Sequence, residues 1–163
     1  MIENWIDELA DVWNGIDLGG FGNVYSPYMI RDAKYPSSID PADLANQVIA
    51  LNIPQSFNPG SYGVGSPKRA FYRGVTQFHL APNADMGHLH RILPWYGRIL
   101  AAAVKPASMR LNNKVELFKI PDETDAITLG NNISFGNESP HWVMVVRWEV
   151  KEPYDSQYAG WVV

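Results

Sequence analysis

The run His141–Lys151 (HWVMVVRWEVK) alternates along its whole length. Trp142, Met144, Val146, Trp148 and Val150 take one side, and Val143, Val145, Arg147, Glu149 and Lys151 take the other. Successive side chains of a strand point to opposite faces, so this period demands a strand and is incompatible with a helix. Same-face tryptophans alternating with Met and Val read as core, so an apolar layer must lie over that face. The competing reading is a sugar-stacking platform made of Trp142 and Trp148, with Trp161 in the tail.

Two helical segments can supply the layer. Ile2, Trp5, Ile6, Leu9, Val12 and Trp13 form one stripe at helical period, leaving Glu3, Asp7, Glu8 and Asp11 on the remaining surface. Acids near a helix start also favour the positive end of its dipole. Asn14-Gly15 closes this helix. The second helix keeps Leu89, Ile92, Leu93, Tyr96, Ile99, Leu100, Ala103 and Val104 on one face. Asn83 or Asp85 caps it, and Lys105-Pro106 ends it. Pro94 removes one backbone bond inside it, which predicts a kink near residues 90–94.

Four more strands are legible. Gln47–Ile53 places Ile49, Leu51 and Ile53 on one side. Phe71–Leu80 places Tyr72, Thr76, Phe78 and Leu80 on one face and Arg73, Gln77 and His79 on the other. Between them, residues 54–70 form a long, loop-like hairpin arm. Val115–Ile120 and Ala126–Phe135 follow, and Gly136-Asn137 turns the chain into a closing antiparallel hairpin. Residues 15–40 read as extended and turn-rich, with Phe21, Tyr25, Tyr28 and Tyr35 in need of cover. The expected fold is α+β: a single domain, residues 1–163, in which two helices cover one face of a mostly antiparallel sheet. A hairpin arm and an extended tail, 153–163, complete it.

Composition narrows the function. A chain of 163 residues suits one domain with a sizeable core. The absence of cysteine excludes disulfides, thiolate metal sites and a cysteine nucleophile. Charged residues make 18%, against roughly 25% in ordinary domains. The deficit falls in residues 15–30, 54–66 and 153–163, where Asp17 and Asp155 are the only charges. Surface poor in charge and rich in rings is expected to meet neighbours. The net charge of −4 has the wrong sign to steer nucleic acid, and residues 1–30 hold five acids and no base. No apolar run is long enough to span a membrane, and the acidic start is unlike a secretory signal, so a soluble chain made in the cytoplasm is expected.

The search for chemistry returns little. His88 and His90 with Asp85 invite a metal, but on a helix positions i and i+2 point about 200° apart. Gly63-Val64-Gly65-Ser66-Pro67-Lys68 lacks the spacing of a phosphate loop, and a proline occupies a position that needs a donor. No G-x-S-x-G elbow occurs, and no carboxylate pair is directed to one site by two elements. His141 and Glu138 sit together at a turn, where a histidine is usually just exposed. No enzyme activity and no cofactor are implied. The basic cluster Lys68, Arg69 and Arg73, with Phe71 and Tyr72, fits a contact to an acidic protein better than to nucleic acid.

An amphipathic first helix leads into ANQVIALNIPQS and an arm. A strand then runs into a helix (FYRGVTQFHLAPNADMGHLHRILPWYGRIL), before a hairpin ending WVMVVRWEVKE. In this order and length, residues 1–152 resemble the tail terminator proteins of long-tailed bacteriophages, the lambda tail-terminator family. Residues 15–40 and 153–163 exceed the simplest members. The resemblance implies a virion protein at the tail–neck junction: a homohexameric ring that caps the tail tube, stops its polymerisation and docks the head connector. Its partners would be its own copies, the tail tube protein and the connector or stopper protein, with DNA only as passing cargo and no membrane. The implied subunit and partner contacts are Tyr62, Lys68, Arg69 and Arg73 of the arm and its base, with Tyr25, Tyr28, Tyr158 and Trp161 in the charge-poor segments. Glu3, Asp7, Glu8 and Asp11 would line the lumen. The alternatives are another neck or head-completion subunit and, from a different class, a small carbohydrate-binding module.

Overall fold

The alternating strand at the end of the chain is the centre of the molecule. A computed structural model describes residues 5–18, 23–25, 47–58, 69–82, 89–104, 111, 114–133 and 141–153. Its elements are α1 (Ile6–Asn14), β1 (Asn23–Tyr25), β2 (Gln47–Asn58), β3 (Arg69–Pro82), α2 (Leu89–Val104), β4 (Leu117–Lys119), β5 (Ile127–Ile133) and β6 (His141–Pro153). Six strands form one sheet in the order β1-β2-β3-β6-β4, with β5 also on β6. All pairs are antiparallel except β1 with β2. β4 pairs with Lys151–Glu149 and β5 with Val146–His141, so the two lie end to end along one side of β6. The turn between them is closed by bonds from Glu123 N–H to Pro121 O and from Ala126 N–H to Glu123 O. This is the expected α+β architecture, with a mostly antiparallel sheet and two helices.

Strand parity places the predicted residues on the predicted faces. Trp142, Met144, Val146, Trp148 and Val150 are all buried under the helix layer, together with Phe78, Phe118, Val48 and Ala50. The tryptophans of β6 therefore serve the core and not a sugar platform. Trp5, Ile6, Leu9 and Trp13 are the sheet-facing stripe of α1. Trp5 meets Tyr72 and Trp148 edge-on, and Trp13 meets Phe78 in the same way. Such pairs add about 0.5–1.5 kcal/mol each beyond area burial.

Each of those three buried tryptophans also needs a partner for its indole N–H. Trp13 donates to Asn52 Oδ1 at 3.0 Å, and Trp148 donates to Thr76 Oγ1 at 3.1 Å. The Thr76 hydroxyl donates in turn to the same Asn52 oxygen at 2.7 Å. Trp5 donates to Glu152 Oε2 at 3.2 Å. One helix and three strands are thus tied together through side chains buried almost completely.

Several boundaries and orientations differ from expectation. β2 continues past Ile53 to Asn58 and β3 starts at Arg69, so part of the expected loop-like arm is paired sheet. Residues 59–68, the remainder of that arm, lie outside the described residues. β1 was hidden in a turn-rich stretch. Ile49, Leu51 and Ile53 do share a side, but it is the side away from the helices, where they form a small cluster of their own. The helix stripe of α2 is also rotated: Trp95, Ile99, Ala102 and Ala103 are buried, whereas Leu93 and Val104 are each 55% exposed. Residues 92–104 are apolar nearly all round, so periodicity admits several rotations, and the bulk of Trp95 selects the one that fills the core. The helix assignment runs through the exposed Pro94 without a break. Gly15 closes α1 in the right-handed region (φ −78°), with no use of glycine's left-handed freedom.

Candidate interaction surface

The sheet face turned away from the helices divides along the strands. Towards the start of β2, Ile49, Leu51, His79 and Val143 are fully buried. Towards the end of β2, the same face lies open and carries two neighbouring rows of side chains. The register sets the first row as Asn58, Phe71, Lys151 and Leu117, and the second as Ser56, Arg73, Glu149 and Lys119. Rows two residues apart along a strand lie about 7 Å from one another.

In the second row Glu149 sits between two cations. Arg73 Nη2 is 3.0 Å from Glu149 Oε1, and Lys119 Nζ is 3.2 Å from Oε2. The shared carboxylate is only 21% exposed while Arg73 is 68% exposed. One negative charge thus lies beneath two positive ones, and the row presents a cationic rim. In the first row Phe71 and Leu117 are exposed large apolar side chains, and Lys151 Nζ lies 5.8 Å from the Phe71 ring centre. Lys151 also meets Glu116 at 3.5 Å, and Arg147 meets Asp125 at 3.2 Å beside the second row. Exposed pairs of this kind add little stability, so they organise the surface more than they hold the fold.

On the helix side of the same hairpin end, Phe57 is exposed and its ring lies 5.0 Å from that of Tyr72. Residues 54–58 are exposed throughout. Pro54 and the register shift between Pro54 and Ser56 interrupt the ladder here, which makes this strand a poor template for indiscriminate edge pairing. The depression among Gln55, Arg73, Arg147, Glu149, Pro121 and Glu123 holds about 70 Å³, well below the volume usual for a small-molecule site.

Of the contacts expected from sequence, Arg73 is a member of this surface. Arg69 begins β3 opposite Pro153 in the neighbouring strand, and Tyr25 pairs with Ile49 at the other edge of the sheet. Tyr62, Lys68, Tyr28, Tyr158 and Trp161 lie outside the described residues, as do Glu3, His88 and Glu138. Asp7 and Asp11 are exposed on the outer side of α1, and Glu8 is half-buried. Phe57, Phe71, Leu117, Lys119 and Glu149 were missed as a group. Their strands were legible, but the β4–β6 register that aligns them is a long-range pairing without a local signal. Among the described residues no three His, Asp or Glu side chains gather as a metal site, and no helix is long and apolar enough to cross a membrane. No protein-family model matches the chain, and no curated protein matches it.

Proposed function

We propose that the protein is a structural subunit of a phage tail: a tail terminator whose copies close into a ring on the end of the tail tube. The reading rests on the order of elements, in which an amphipathic helix, a long hairpin, a second helix and a closing hairpin follow the terminator pattern. The observation that carries it is the open hairpin end of the sheet. Exposed apolar side chains and a cationic row, held on the paired strands β3, β6 and β4, form a surface that suits a neighbouring protein better than a substrate. A surface on one side of a subunit, paired with a different surface on the next, generates a ring when the rotation closes.

The experiment is reconstitution. Purified protein is added to growing tubes of tail tube protein, and tube length is followed by negative-stain microscopy. The reading expects growth to stop, with extra density at one tube end. Continued growth with bare ends would refute it.

A further inference from the structure

Resting on the ring reading above, we propose that the open half of the sheet receives the helix layer of a second copy. In this contact Asp7 and Asp11 of α1 meet the Arg73–Lys119 row instead of lining a lumen, and the exposed apolar edge of α2 meets Phe71 and Leu117. Charge and hydropathy both point to this occupant. Residues 1–30 contain five acids and no base, and Asp7 and Asp11 stand one turn apart on the outer side of α1. The opposite side of the subunit presents Arg73 and Lys119 outermost, over a single shared carboxylate. A two-layer subunit cannot bring its own helix layer to its own far sheet face, so these surfaces can meet only between copies.

The apolar halves match as well. Leu93 and Val104 are exposed on α2, which packs directly beside α1. Phe71 and Leu117 lie in the row directly beside Arg73 and Lys119. Packed helices sit about 8–10 Å apart and the two rows about 7 Å apart, so acid-to-cation and apolar-to-apolar contacts can form together. A Cβ at Gly97, on the same helix, would meet nothing within 4 Å in the subunit, which leaves room for a close neighbour. Because the two surfaces differ, the contact is head-to-tail, the kind that makes a ring when the rotation between successive copies closes.

Charge exchange tests the pairing in the full-length protein. Light scattering would compare the wild type, R73E/K119E, D7K/D11K and an equimolar mixture of the two variants, with thermal melts to establish folding. Each variant alone should raise the midpoint concentration of assembly at least about tenfold, because like charges then face each other. The mixture should restore assembly, since alternating copies present opposite charges at every contact. If R73E/K119E fails to fold, R73Q/K119Q takes its place alone, with a smaller loss expected because the acids of α1 then face no cation in this row. Folded variants that assemble like wild type, or a loss that mixing does not rescue, would overturn the contact and leave the ring reading standing. A wild type that stays monomeric at every concentration would overturn both.

Discussion

Gly74 and Trp148 face each other across β3 and β6, and the indole occupies the space where a side chain on residue 74 would be. A Cβ there would lie 2.5 Å from two ring carbons and 2.6 Å from the Ile53 carbonyl oxygen, and neither the central strand nor the backbone can retreat cheaply. Gly74→Ala is therefore expected to destabilise the protein by about 1–3 kcal/mol in urea unfolding. Gly15 provides the contrast, since it is right-handed and an added Cβ would come no nearer than 3.4 Å to the Asp11 carbonyl oxygen. Gly15→Ala should change stability by no more than about 0.5 kcal/mol. Asn52 is the most exacting position. Its one carbonyl oxygen accepts from both Trp13 and Thr76, so Asn52→Ala strands two buried donors. A loss of about 2–4 kcal/mol is expected, together with a change in tryptophan fluorescence of the remaining native protein. A loss below about 1 kcal/mol would show that the buried chain of hydrogen bonds does not tie α1 to the sheet.

At the scale of elements, α2 separates what burial requires from what the surface offers. Ile99→Ala should cost about 2–5 kcal/mol, because it empties a fully buried position. Leu93→Glu and Val104→Lys should leave the melting temperature of the monomer nearly unchanged, being substitutions at exposed sites. The same helix shows where sequence reasoning reaches its limit. In β6, alternation over 141–151 with charges on one side leaves a single orientation, and the five residues expected to face inward are all buried, whereas buried Glu152 lies beyond the run that the pattern marks. In α2, one charged residue between Ile92 and Val104 leaves the rotation undetermined by pattern, and only packing against the sheet resolves it. β1 was illegible for another reason: three residues among glycines and a proline carry no period, and they pair only because β2 offers an edge. The interaction surface was legible at Arg73, where a basic cluster marks it. It was invisible at Lys119 and Leu117, whose place depends on pairing with residues thirty or more positions away in sequence.

For the molecule as a whole, the low charge fraction and the split sheet belong to one account. Core formation uses most of one face of the sheet and half of the other, and the remaining half carries exposed Phe71 and Leu117 beside the Arg73–Lys119 row. Salt should act on assembly and not on folding, since its targets are exposed pairs. Raising ionic strength from about 0.05 to 0.5 M is expected to shift assembly towards free subunits while the urea midpoint of the monomer moves little. The central claim is that copies of this chain close into a ring, and negative-stain microscopy of the purified protein tests it most directly. The account predicts closed rings with a central opening, built from roughly six chains of 18.3 kDa. A uniform field of single subunits at high concentration and low salt would contradict it.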